Sequence, residues 1–454
     1  MTTTPSPDGE PLSSGTPRGA DYPDAVGAPV AAHGPVAAPA PVAAPGGDVP
    51  RLRAVACAAV MALATAGAVL VGRDGRPGWQ VVRVLALLLV AAGLLAVVRR
   101  ASRVVVGLMA LALGALGTGV GAVAGGPHLV KGGSSLVTGA GLVAAAGGLV
   151  LVVVGVVALA GAVGRWWRVP VALVAVVLVV PLALAGGVAV AATNPPLAHL
   201  GPETPADRGL TYTDVAFPAA DGVPLAGWYV PGDSGTAVVL LHGAGSTRSA
   251  VLGHLVALVE QGFGVLAVDA RGHGGSGGRA MDLGWFGDAD VTGAVTFVLD
   301  QPGVDRVAVV GLSMGGEEAL GAAAADPRIG AVVAEGATGR VAGDGAWLPD
   351  VYGVQGVLQR PTDWLTQAAT DLLTEAGPPR TLRAAVESSS CPVLLIAAGE
   401  VADEAHAARF IAAGAPDRVD VWVVAGAGHT GGLAADEREW TLRVTTFLDA
   451  ALGD

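Results

Sequence analysis

Two rhythms of apolar and polar positions divide the chain. Between residues 51 and 195 apolar residues run almost unbroken in five stretches, 53–71, 79–98, 104–124, 136–163 and 169–192. Each reaches the roughly 20 residues that, at about 1.5 Å per residue, cross the ~30 Å hydrocarbon core of a bilayer. The pattern predicts about five transmembrane helices. Trp79, Trp166 and Trp167 stand at stretch ends, where interfacial aromatics belong, and glycines recur inside the stretches, for example at 114, 117 and 121. From 209 onward the rhythm changes. Short β-branched runs alternate with Ala- and Leu-rich helical stretches, predicting strands at 212–217, 224–230, 236–241, 263–269, 306–312, 330–335, 392–398 and 419–425. Fully apolar strands separated by helices imply a mostly parallel sheet of about eight strands, covered on both faces.

The remaining segments have neither rhythm. Residues 1–50 are rich in Pro, Ala and Gly and carry no period of 2 or 3.6, so a disordered tail is expected there. Residues 196–208 read as a Pro-containing linker. Residues 337–390 interrupt the strand–helix alternation as an insert.

Charge sharpens this division. Only 14% of residues are charged and 52% are hydrophobic, against roughly 25% charged in an average soluble domain. Asp74 is the single acidic residue within 51–195. Arg51, Arg53, Arg99, Arg100, Arg103, Arg165 and Arg168 flank the stretches so that the positive-inside rule puts the N-terminus in the cytoplasm. Five crossings then leave the C-terminal domain outside a bacterial plasma membrane. Arg73 and Arg76 in the first loop run against that scheme. A net charge of −12 argues against nucleic acid as a partner. The two cysteines, Cys57 and Cys391, fall in different predicted regions and cannot build a structural zinc site.

Chemistry gathers at the carboxyl ends of predicted strands, where open α/β sheets form their sites. Gly311-Leu312-Ser313-Met314-Gly315 follows a strand and opens a helix, the context in which a G-x-S-x-G turn lifts a serine toward substrate. His242-Gly243-Ala244-Gly245 ends the third strand. Ala244 and Met314 are the expected backbone donors of an oxyanion hole. His242 is expected to brace its loop, and His273 to be structural as well. Gly428-His429-Thr430 follows the last strand, from which His429 can reach Ser313 as general base. The acid should follow the seventh strand. Asp403 is the expected residue, with Glu404, Glu400 and Glu335 as alternatives.

"LLHGAG", "VDARGHGGSGG", "GLSMGG" and "GAGHTGG" together make residues 209–454 resemble the α/β-hydrolase superfamily, in its dienelactone-hydrolase and serine-aminopeptidase-like branch. The resemblance implies an α/β-hydrolase fold with a short lid at 337–390 and hydrolysis of esters, thioesters or peptides. Family spacing would place the acid at 402, where this chain has Ala402. Within the insert, Leu365, Ala368, Ala369, Leu372 and Leu373 fall at helical spacing and are expected either to roof the site or to pack as an ordinary helix. The expectation is a membrane-anchored serine hydrolase acting through an acyl-enzyme on a small-molecule ester, lipid or peptide, with no cofactor or metal. The alternative is a membrane protein that uses a hydrolase-like domain for binding only.

Overall fold

The computed structural model describes residues 101–132 and 136–453, together with Leu85, Leu89, Ala92 and Gly93. The tail at 1–50 and, apart from those four helical residues, the apolar stretches at 53–71 and 79–98 lie outside the described residues. Three helices come first: α1 (Arg103–Gly132), α2 (Leu136–Gly161) and α3 (Arg168–Thr193). All three are long and apolar enough to cross a membrane, which matches the third, fourth and fifth expected stretches in position.

Glycine makes the contact between α1 and α2. Gly107, Gly114 and Gly121 on one helix, and Gly148 and Gly155 on the other, recur every seven residues, which is two turns. A Cβ at Gly148 would stand 2.4 Å from the Thr118 nitrogen, and one at Gly114 would stand 2.7 Å from the Val152 nitrogen. The backbones therefore touch directly, as small residues permit in helices without a solvent-driven core. Outside these seams the helices show their apolar side chains: Leu173, Val174, Val177, Leu178 and Leu184 of α3 are all exposed.

The second region is an eight-stranded sheet, β1 (Thr213–Pro218), β2 (Pro224–Val230), β3 (Thr236–Leu241), β4 (Gly264–Asp269), β5 (Arg306–Leu312), β6 (Ile329–Glu335), β7 (Val393–Ala398) and β8 (Val419–Val424). Its order is β1-β2-β4-β3-β5-β6-β7-β8. Strand β2 pairs antiparallel with β1 and β4, and every other pair is parallel. Each strand found lies within a residue or so of its expected range. Because side chains alternate between faces, one strand feeds two cores. Ala237, Val239 and Leu241 of β3 pack on one face with α5 (Gly287–Leu299), α6 (Met314–Ala323), α9 (Leu382–Ser388) and α10 (Ala402–Ala412). Val238 and Leu240 pack on the other face with α4 (Leu252–Val259) and α11 (Glu437–Leu452).

The insert after β6 is more helical than an irregular segment. It holds α7 (Leu348–Tyr352), α8 (Val354–Leu373) and α9. The stripe expected on α8 does not close over the interior. Leu365 and Leu372 are exposed, while Leu373 at the end of the helix packs beside Val120 of α1 and Val190 of α3.

Candidate active site

Strand order reverses around β4-β3-β5, and Ser313 sits at the carboxyl end of β5 beside the loop that ends β3. Ser313 has φ 53° and ψ −120°, a conformation that a residue with a Cβ adopts only under constraint. Its N–H donates to the Glu335 carbonyl at 2.6 Å, which pins the turn to β6. The turn is possible because its neighbours lack side chains. A Cβ at Gly315 would lie 2.7 Å from the His242 carbonyl, and one at Gly311 would lie 2.2 Å from the Gly315 carbonyl. Helix α6 starts at Met314, so its first N–H groups have no partner within the helix and point toward the serine side.

The loop after β3 is held by two histidines. His242 Nε2 accepts the Ala270 N–H at 3.0 Å, so Nδ1 carries the proton and donates to the Gly243 carbonyl at 2.8 Å. Burial pushes the His242 pKa down to about 3, so the ring is neutral. His273 Nε2 accepts the Gly245 N–H at 3.2 Å, and its Nδ1 lies 3.0 Å from the Arg271 carbonyl. Both are braces, as expected. They fix the Gly243-Ala244-Gly245 backbone against the loop after β4, and Gly243 lies close enough to Ser313 that a Cβ there would stand 3.2 Å from the serine Cβ. Ala244 belongs to this braced loop and Met314 opens the helix that follows the serine.

His429 lies in the loop after β8, half exposed. Its Nε2 stands 2.9 Å from Ser313 Oγ. Its Nδ1 stands 2.6 Å from Glu404 Oε1. Gly336, with φ 72°, leaves room for the ring; a Cβ there would stand 3.0 Å from His429 Cε1.

The expected acid, Asp403, is the point of correction. Asp403 and Glu404 are adjacent on α10, and successive residues on a helix point about 100° apart, so only one can face His429. Glu404 is 1% exposed, and its second oxygen accepts the Ala398 N–H at the end of β7, at 2.8 Å. Asp403 faces outward and hydrogen-bonds the Tyr352 hydroxyl of α7. Glu400 is exposed in the turn after β7. Glu335 serves a different purpose: its carboxylate accepts the Gly432 N–H at 2.7 Å and the Trp440 Nε1–H at 2.9 Å. Burial, reinforced by the nearby Glu404, raises its pKa. One residue thus ties the serine turn, through its carbonyl, to the histidine loop, through its side chain. Its position at the end of β6 was the only sequence signal for this role.

Behind the serine, Glu317 of α6 is buried and accepts the N–H groups of Thr338 and Gly339 on Oε1, at 3.0 and 2.8 Å. Burial raises its pKa to about 7. Among the described residues, no group of three or more His, Cys, Asp or Glu side chains is placed to hold a metal ion.

The chain has relatives among known proteins. Residues 232–375 match the family model for serine aminopeptidases of the S33 type. An uncharacterized protein of Mycobacterium tuberculosis is 33% identical over 246 residues, covering 52% of this chain and 78% of that protein. The chain belongs to the α/β-hydrolase superfamily. The thiohydrolase aneE of Aspergillus aculeatus is 33% identical over a shorter segment of 130 residues, 27% of this chain and 41% of that protein. A crystal structure of a Pyrococcus furiosus esterase aligns at 26% identity and a TM-score of 0.48, covering 57% of this chain and 98% of the esterase. An enzyme of the hydrolase kind fits the family match and the eight-stranded sheet.

Proposed function

We propose that this chain is a membrane-anchored serine hydrolase that cleaves a carboxylic ester, thioester or peptide bond. The observation that carries the reading is the chain of contacts from Glu404 through His429 to Ser313, at 2.6 and 2.9 Å. Glu404 holds Nδ1–H, which leaves Nε2 free to accept the serine proton as Oγ attacks the substrate carbonyl. The N–H groups of Ala244 and Met314 hold the oxyanion, each donor contributing about 2.7–4 kcal/mol to transition-state stability in comparable sites. His429 then protonates the leaving group, and in the second half it takes a proton from water, which attacks the acyl-enzyme and frees Ser313. No step needs a metal or organic cofactor. A purely binding role drew its support from the acid's missing place at 402, and Glu404 supplies that contact from two residues on.

Helices α1–α3, with the apolar stretches before them, act in this reading as the anchor. The arginine distribution puts the hydrolase domain outside the cytoplasmic face. The test is fluorophosphonate labelling of carbonate-washed membranes carrying wild type, Ser313→Ala or His429→Ala. Labelling of wild type alone supports the reading, and a chain-length series of acyl esters then defines the preferred acyl group. A folded wild type that takes no label and turns over no ester in the series overturns it.

A further inference from the structure

Helix α8 is amphipathic in the wrong direction for a protein in water. At about 100° per residue, Val354, Val357, Leu358, Trp364, Leu365 and Leu372 share one face roughly a third of the circumference wide. All six are exposed, Leu372 at 86% and Val354 at 76%. Several polar side chains of the same helix are turned toward the protein. Gln367 Oε1 accepts the Ala342 N–H at 2.8 Å, Arg360 donates to the Ala342 carbonyl at 2.9 Å, and Thr370 is fully buried. Gly356 is pressed so closely on α7 that a Cβ would stand 2.2 Å from the Leu348 carbonyl. This orientation is set by contacts on the polar side, so the apolar stripe is held outward.

An outward stripe of this size needs a non-aqueous neighbour. Helix α8 packs along α3, whose own exposed face is Leu173, Val174, Val177 and Leu178, and Leu373 closes the seam against Val120 and Val190. The stripe thus sits on a helix packed against the membrane-length helices, whose own apolar side chains are exposed. The same end of α8 is tied to the serine site. Thr374 donates to Asp282 at 2.5 Å, and Met281, one residue earlier, packs on Met314.

We propose that the outward face of α8 lies on the bilayer, with Trp364 and Leu358 among the lipid acyl chains, so that the hydrolase site is held at the membrane surface and takes acyl substrates from the lipid phase. The proposal rests on the membrane-anchored reading above. Its partner is lipid, not a second copy of the chain, because the helix that carries the stripe packs on α3, whose exposed apolar face meets lipid in the same reading.

The experiment uses the full chain reconstituted in phosphatidylcholine vesicles with or without brominated acyl chains, which quench tryptophans that reach them. Wild type is expected to be quenched more than Trp364→Phe. Val357→Asp with Leu358→Asp is expected to lower hydrolysis of a long-chain ester dissolved in the vesicles by about tenfold or more, leaving a water-soluble short-chain ester within about twofold. Equal quenching of wild type and Trp364→Phe, in protein that survives a carbonate wash, overturns this inference and leaves the anchor intact. Protein that washes off the vesicles overturns the anchor itself. A double Asp variant that slows both esters alike overturns the lipid route, and one that converts a detergent-solubilised dimer to monomer shows that a second copy occupies the stripe.

Discussion

Helices α1–α3 and strands β3–β7 are written in the same few residues, chiefly Val, Ala, Leu and Gly, yet they dispose of them in opposite ways. Every residue of β3, β4 and β7 is buried, and both faces of the sheet are closed by helices. In α2 and α3 many of the largest apolar side chains point outward, among them Val153, Val157, Leu173 and Val177. The two regions also use glycine differently. In the hydrolase domain glycines act singly, at a turn such as Gly336 beside His429 or at one close approach such as Gly356. In α1 and α2 they repeat at a fixed interval and bring two backbones into contact. Apolar content alone therefore does not say what lies inside. The period of the pattern, and what covers each face, does.

The largest expected difference concerns chemistry, which the proposed function gives to the sheet region alone. Ser313→Ala or His429→Ala is expected to reduce ester turnover on the order of 10⁶-fold, as loss of either group does in comparable triads. Glu404→Gln is expected to cost about 10⁴-fold by losing the imidazole orientation. Asp403→Ala is expected to stay within about twofold. Steady-state kinetics on a soluble ester checks all four, and a large loss in the Asp403 variant with none in Glu404→Gln would reverse the assignment of the acid.

Packing gives the next contrast. Leu240→Ala removes a fully buried side chain and is expected to cost about 2–5 kcal/mol. Val177→Ala, exposed on α3, is expected to cost less than about 0.5 kcal/mol in detergent. Urea titration of the tryptophan signal of the full chain separates them. Within the helices, Gly148→Val forces a Cβ against the Thr118 backbone and is expected to cost about 1–3 kcal/mol. Gly139→Ala enters open space and is expected to be neutral. Thermal unfolding in detergent distinguishes the two, with Ser313 labelling retained in both.

The smallest effect is a pH dependence. Glu317 titrates at about 7 in the fold against an ordinary value of 4.5. Its protonated form suits the buried site, so its contribution to stability is present below pH 4.5 and fades as pH rises through about 7. Glu317→Gln keeps an oxygen for both backbone N–H groups and removes that fade. The melting temperature of the variant is expected to exceed that of wild type at pH 8 and to converge with it near pH 5.

Most of the sheet was legible because its signals are local: apolar runs of strand length, and motifs at their ends. The same holds for Ser313, His429 and the two bracing histidines, whose turns need glycine at fixed offsets. The acid was not, because choosing between adjacent carboxylates depends on the rotation of α10, which Ala398 and Tyr352 set from elsewhere in the chain. The orientation of α8 was hidden for a related reason. Helical spacing reveals that a stripe exists, but the contacts of Gln367, Arg360 and Gly356 decide which way it faces.

The seven-residue glycine spacing also limits movement. Two helices that touch through their main chains mesh like a rack and pinion with teeth two turns apart. A slide of one turn, about 5.4 Å, would bring side chains against the opposing backbone where glycine now meets it. Piston motion is barred within the α1–α2 hairpin. Movement between the long apolar helices and the hydrolase domain is left to α3 and to α8, which packs on it.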